Sequence, residues 1–281
     1  MQPDLPPAAL AALRSRSVDV SALREQGRSG RGAVIRVWWA GTAAVVVARD
    51  KRGCRVNQSE VAGRHWAAGV GVGVPEIWAH ADDGAWLVGE WLSAEAPTGT
   101  EYVRAALTGA DLIMGAELPR GSSVSVQSWR GSRRGRALRA LRVMAAGLDP
   151  REFVGARNEA TVLPADFPAH GDFYFRNVLN VSTGIRVVDW EFAGPAPAFT
   201  DHLRFWSTLK AEEDRLTALE LILEGRSRVE RAHIGTLGRW LAFRLFAENV
   251  SAPRRLQNPA DRAHATAGLD RGRELFEMTR R

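Results

Sequence analysis

The sequence predicts an α+β fold of two lobes, a small β-rich N-terminal lobe (residues 1–92) and a larger, mostly helical C-terminal lobe (residues 93–281). Three observations carry this expectation. Between residues 33 and 91, short β-branched and aromatic runs alternate with turn residues around a single helical pattern. From residue 101 onward apolar residues recur mainly at helical spacing. No internal repeat or long low-complexity linker divides the 281 residues, which suffice for two lobes sharing a cleft.

The elements follow in order. Residues 7–25 have helix-like apolar spacing at Leu10, Leu13, Val18 and Leu23, broken too often for one regular helix. Val34 to Trp39 and Ala43 to Ala48 read as strands joined by the turn Ala40-Gly41-Thr42. Residues 57–68 read as a helix stopped by Gly69 and the glycines up to Gly73. Residues 75–79 and 85–91 form a second strand pair around Asp82-Asp83-Gly84. Helices are expected over 101–114 and 135–146, the latter with Leu138, Leu141 and Met144 on one side, and residues 115–134 between them read as loop. From Phe199 the chain reads as helical throughout, with one break near Pro253 and Pro259.

Composition bounds the function. The apolar fraction of 45% and charged fraction of 25% are those of a globular protein able to build its own core. A single cysteine, Cys54, excludes an internal disulfide and agrees with a reducing compartment. The start of the chain lacks the pattern of a secretory signal. No run approaches the roughly 20 apolar residues of a membrane span. The expectation is a cytoplasmic protein with no membrane partner. The net charge of +6 invites a nucleic-acid reading, but Lys51 and Lys210 are the only lysines, and so one-sided an arginine usage points to base composition. No nucleic-acid partner is expected; a basic surface would still steer nucleotides inward.

The chemistry gathers in His170-Gly171-Asp172-Phe173-Tyr174-Phe175-Arg176-Asn177 and, further on, Asp189. Phosphoryl transfer asks protein groups mainly for positioning and charge neutralisation. Asp172 can orient a hydroxyl and accept its proton. Mg²⁺ takes hard oxygen ligands, and Asn177 and Asp189 supply an amide and a carboxylate. If Val178-Leu179-Asn180-Val181 pairs with Ile185 to Val188 across Ser182-Thr183-Gly184, Asp189 returns beside Asn177.

These two segments, His-Gly-Asp-Phe-x-x-x-Asn-Val-Leu and Val-Val-Asp-Trp-Glu, closely resemble the aminoglycoside phosphotransferase and choline kinase superfamily, the small-molecule branch of the protein-kinase-like fold. The resemblance implies ATP and Mg²⁺ as cofactors and a small-molecule hydroxyl acceptor. It implies that Asp172 is the catalytic base, His170 the prop of its loop, Asn177 and Asp189 the metal ligands, and Asp201 a structural aspartate in the following helix. More loosely, it places Gly30 and Gly32 in a phosphate-covering loop, though such glycines equally suit a flexible turn. It places a phosphate-pairing cation on the third strand, where Arg49 continues the β-run and Lys51 lies in a turn. Glu60 is the candidate helix partner of that cation, and Asn57 with Glu60 also fits a capping box. Glu90 and Leu92 fall at the inter-lobe hinge, where adenine recognition would use backbone groups.

A non-catalytic nucleotide-binding module on the same fold is the alternative. A protein kinase is disfavoured by His-Gly-Asp in place of His-Arg-Asp. The scattered histidines lack metal-ligand spacing, and no Gly-x-Ser-x-Gly elbow is present. The ten tryptophans read as packing residues, and the arginines between 130 and 142 as a solvated helix face. Glu212, Glu213 and Asp214 could meet a cationic acceptor, but the neighbouring arginines leave the acceptor open.

Overall fold

The computed structural model of the chain describes residues 5–25, 35–40, 44–49, 54–92, 98–118, 137, 140–144, 148–250 and 259–280. It opens with helix α1 (Pro7–Ser15), started by the preset backbone of Pro7 at its first turn. Strands β1 (Arg24–Glu25), β2 (Ile35–Ala40) and β3 (Ala44–Arg49) follow. Helix α2 (Cys54–Gly69) leads to β4 (Ile77–His80) and β5 (Trp86–Glu90). The five strands form one antiparallel sheet in the order β1-β2-β3-β5-β4. Arg49 closes β3 opposite Ile35 of β2. α1 packs across β4 and β5, burying Leu5, Ala9, Leu13 and Leu23 over Val88.

Two expectations about this region are corrected. α2 begins at Cys54, not at residue 57, so Asn57 and Glu60 lie inside it and the capping-box reading fails. Asn57 instead donates its amide to the Gly84 carbonyl at 2.9 Å, tying the helix to the turn between β4 and β5. The helix ends as expected, with Gly71 taking a left-handed φ of +86° and Val72 N–H closing back on Ala67.

Helices dominate the remainder: α3 (Thr100–Met114), α4 (Pro150–Thr161), α5 (Thr200–Thr208), α6 (Glu212–Leu223), α7 (Arg228–Val250) and α8 (Pro259–Arg280). α3 buries Tyr102, Val103, Ala106, Ala110 and Ile113 at helical spacing, and so runs through the main core. α4 is capped by Asp149, whose carboxylate accepts from Arg151 N–H at 2.8 Å. The helix expected over 135–146 is described at 137 and 140–144, where Leu141 and Met144 are exposed and Val143 is the buried residue. Its inner face is therefore rotated from the expected one. The single break expected after Phe199 is likewise corrected: Leu209 to Ala211 separates α5 from α6, and Glu224 to Ser227 separates α6 from α7.

Two short two-stranded sheets lie between α4 and α5, the second of them a hairpin. β6 (Phe167–Ala169) pairs with β9 (Gly194–Ala196), and β7 (Val178–Val181) pairs with β8 (Gly184–Val187). They frame the loop 170–177 and the segment that follows β8. No helix among the described residues is long and apolar enough to cross a membrane.

Candidate active site

The β7–β8 register, Val178 opposite Val187, brings the segment after β8 back to the loop before β7. One further bond, Val188 N–H to the Asn177 carbonyl at 2.9 Å, extends the pairing to the threshold of Asp189. Asp189 then turns in a left-handed conformation (φ 68°, ψ 57°), the region that aspartate tolerates better than most side chains. The chain enters a 3₁₀ turn at Trp190 to Phe192, and the Trp190 ring is fully buried with its N–H on the Val187 carbonyl at 2.9 Å.

Within the loop, the backbone around Asp172 is held by several hydrogen bonds. His170 is buried; its Nδ1 accepts from Asp172 N–H at 3.2 Å. That assigns the ring proton to Nε2, which donates to the Val188 carbonyl at 3.0 Å. One imidazole thus joins the loop to the strand end that carries Asp189. Its ring stands edge-on to Trp190, centroids 4.6 Å apart. Gly171 has φ +82°, and a Cβ there would lie 2.5 Å from the Phe192 carbonyl oxygen, so only glycine fits. The Asp172 carbonyl accepts from Tyr174 N–H at 2.9 Å and from the Asn177 amide at 3.0 Å. With its N–H₂ so engaged, the Asn177 Oδ1 is the atom left for a cation, a fit to a hard metal ion.

Asp201, in the first turn of α5, holds this loop from below. Its two oxygens accept from His170 N–H at 2.6 Å and Gly171 N–H at 3.0 Å. The carboxyl is completely enclosed, and burial pushes its pKa above the ordinary carboxylate range, with His170 and the two N–H bonds opposing the shift.

Three features at the site were not anticipated. Arg204 Nη2 contacts Asp172 Oδ1 at 2.7 Å, from a side chain only 14% exposed. Thr208 Oγ1 accepts from Phe175 N–H at 3.3 Å. The Tyr174 phenol is pushed up in pKa, first by burial and then by the negative charges of Asp172 and Asp189, so it remains neutral. Arg204 was legible in principle, since it follows Asp201 by three residues and helical spacing puts both on one face.

The N-terminal candidates fare differently. Glu60 is buried in an i,i+4 ion pair with Arg64 at 2.6 Å, a partner not anticipated. The Arg64 guanidinium reaches β5, with Nη1 3.6 Å from where a Cβ on Gly89 would sit. The backbone of Arg49 lies at the end of β3. Gly30, Gly32 and Lys51 lie outside the described residues. Glu90 ends β5; its N–H donates to the Glu76 carbonyl at 2.9 Å and its carboxylate accepts from Glu76 N–H at 3.1 Å. Leu92 lies two residues past the strand, partly buried. Of the acidic trio, Glu212 pairs with Arg215, and Asp214 is buried, accepting from Gly99 N–H at 3.0 Å. Two of the three are thus committed internally.

No family model matches the sequence, and no curated protein is similar enough to count as a relative. The fold is informative where sequence is not. A choline/ethanolamine kinase family protein from Mesorhizobium loti superposes with a TM-score of 0.59 over 97% of each chain, at 18% identity. The chain has the two-lobed, protein-kinase-like fold of the small-molecule kinases. An ethanolamine kinase of Plasmodium vivax gives a TM-score of 0.58 at 10% identity, over 97% of this chain and 90% of that one. The ADP-bound aminoglycoside phosphotransferase APH(2'')-Ib gives 0.55 at 14% identity, over 97% and 99%.

Proposed function

We propose that this chain is an ATP-dependent, Mg²⁺-requiring phosphotransferase that moves the γ-phosphate to a hydroxyl of a small molecule. The observation that carries the reading is the closure of the β7–β8 hairpin, which sets Asp189 one residue beyond the bond joining Val188 to Asn177. Asp172 lies across the same loop, its carbonyl bonded to the Asn177 amide. The structural neighbours support it: they are choline, ethanolamine and aminoglycoside kinases, some with ADP, GDP or ATP bound.

In this reading Asp172 orients the acceptor hydroxyl and takes its proton, while His170 fixes the loop. Asn177 Oδ1 and Asp189 hold the metal, which neutralises charge on the phosphates when bound. Residues 1–92 serve as the nucleotide-binding lobe and 93–281 as the catalytic and acceptor-binding lobe. Gly30 and Gly32 cover the phosphates, Arg49 or Lys51 pairs with them, and the backbone at Glu90 and Leu92 meets the adenine. Because Glu60 is engaged with Arg64, its part in this arrangement is to anchor α2 rather than to hold the strand cation alone. The acceptor is a hydroxylated small molecule of the antibiotic, amino alcohol or sugar type. A lone cysteine agrees with a cytoplasmic setting.

The test is ADP release from Mg·ATP against a panel of hydroxylated antibiotics, amino alcohols and sugars, with Asp172→Ala as the comparison. The variant should lose at least about 10²-fold in kcat, the usual worth of a positioned base. Unchanged turnover in Asp172→Ala would sink the mechanism. The alternative, a non-catalytic nucleotide-binding module, would bind ATP with no dependence on Mg²⁺.

A further inference from the structure

We propose that Arg204 is a positioning residue of the transfer reaction, holding Asp172 by Oδ1 so that Oδ2 is the oxygen presented to the acceptor hydroxyl. This rests on the phosphotransferase reading and extends it to a residue outside the motif loop.

The argument begins with α5. Asp201, Arg204 and Thr208 stand at i, i+3 and i+7, spacings that place them on one face of a helix. Each engages a different point of the loop. Asp201 takes the N–H groups of His170 and Gly171. Arg204 takes the Asp172 carboxylate, and Thr208 takes the N–H of Phe175. Asp201 and Thr208 therefore fix only backbone. Their hold, with the bonds from Asp172 N–H to His170 and from the Asn177 amide to the Asp172 carbonyl, leaves side-chain rotation as the remaining freedom of Asp172. Arg204 is the contact that addresses that freedom.

The guanidinium is planar, permanently charged and carried on a stem largely packed away from solvent, so it sets a direction as well as a charge. With Oδ1 engaged at 2.7 Å, the second oxygen is the one available to the reaction. The acceptor O–H proton passes to Oδ2 as the acceptor oxygen bonds to the γ-phosphorus. The bond from γ-phosphorus to the β,γ-bridging oxygen breaks, and its electron pair leaves on ADP. Misplacing a reacting group by about 1 Å can cost about 10²-fold in rate, which sets the scale expected from releasing this clamp.

The experiment measures ADP release from Mg·ATP by the full chain, with water as acceptor. Wild type is compared with Arg204→Met, Arg204→Lys, Asp172→Asn and the double variant Asp172→Asn/Arg204→Met, each checked by thermal melting. Arg204→Met should lower kcat by about 10- to 100-fold, with KM for ATP within about twofold, and Arg204→Lys should recover part of the loss. In the Asp172→Asn background the Arg204→Met change should cost less than about twofold further, because two residues acting through one contact are non-additive. If Arg204→Met does not fold, Arg204→Lys alone and in the Asp172→Asn background carries the same comparison. An equal loss in both backgrounds, a loss confined to KM, or undiminished turnover overturns the positioning role while leaving the phosphotransferase reading intact. A wild-type chain that neither binds nor cleaves ATP overturns the reading itself, and this inference with it.

Discussion

A Cβ placed on Gly63 of α2 would lie 2.7 Å from the Cβ of Trp190, so the helix backbone rests directly on the residue that follows Asp189. Trp66, one turn along α2, stands edge-on to the same indole at 6.0 Å between centroids. Trp190 in turn abuts His170. Helix α2 therefore bears on the Asp189 segment and the Asp172 loop through one buried ring.

Gly63→Val forces that contact apart. Overpacking of this kind costs about 1–3 kcal/mol, and here the strain falls on the turn that carries Asp189. Thermal melting should fall by several degrees and ADP release by more than the stability loss explains. Gly69→Ala is the control, because a Cβ there meets nothing within 4 Å. A Gly63→Val protein with wild-type melting and turnover would remove α2 from any role in holding the site.

What the sequence disclosed and what it hid follow a physical division. The Asp172, Asn177 and Asp189 arrangement was legible because a short hairpin with a fixed turn determines its own register, and register determines which residues meet. The pairs β2–β3 and β4–β5 are equally local, antiparallel neighbours close in sequence, whereas β3 meets β5 only across the intervening α2 and β4. The start of α2 was misread because Asn57 has two chemistries, a cap or a long-range bond, and only the position of Gly84 decides between them. Arg204 and Arg64 were missed for the same reason. An arginine-rich chain gives no compositional sign of which guanidinium is turned inward.

Asp201 carries a pH signature. Its folded-state pKa is raised above the ordinary 3.8, first by burial. The unfolded chain then releases this proton at lower pH than the folded one, so the stability the group contributes is full below 3.8 and declines as pH rises toward the raised value. Asp201→Asn cannot ionise, and it turns an N–H donor toward one of the two loop N–H groups, a mismatch of about 1–3 kcal/mol. Melting temperatures of both proteins between pH 4 and pH 7 should show the wild-type advantage narrowing as pH rises. A gap that widens over that range would contradict the burial-dominated shift.

The pair formed by His202 and Asp111 carries the opposite sign. His202 is buried on α5, with Nε2 3.0 Å from Asp111 Oδ1 on α3, and that bond is the main cause holding the Asp111 carboxyl below its ordinary value. A depressed carboxylate contributes stability above 3.8 and loses it as pH falls through the folded value. Asp111→Ala strands a buried imidazole nitrogen, at a cost of about 1–3 kcal/mol near neutrality. The melting difference from wild type should be largest at pH 7 and shrink below pH 4. A difference that persists undiminished into acid would assign the loss to packing instead.

Asn177 separates metal binding from loop support. Its N–H₂ group holds the Asp172 carbonyl at 3.0 Å, and its Oδ1 is the proposed metal ligand. Asn177→Ala removes both, whereas Asn177→Asp keeps a ligand oxygen and loses only the donor, setting an acceptor against the Asp172 carbonyl. Calorimetric titration of ATP at graded Mg²⁺ reads the first effect without turnover; Asn177→Ala should raise the Mg²⁺ needed for half-maximal binding by at least about 10-fold, the lower end for disturbing a metal site. Asn177→Asp should bind Mg·ATP nearly as wild type yet release ADP more slowly, since the loop that aims Asp172 has lost its tie. Equal Mg²⁺ dependence in wild type and Asn177→Ala would exclude Asn177 as a ligand, and leave it only as the brace of the Asp172 loop.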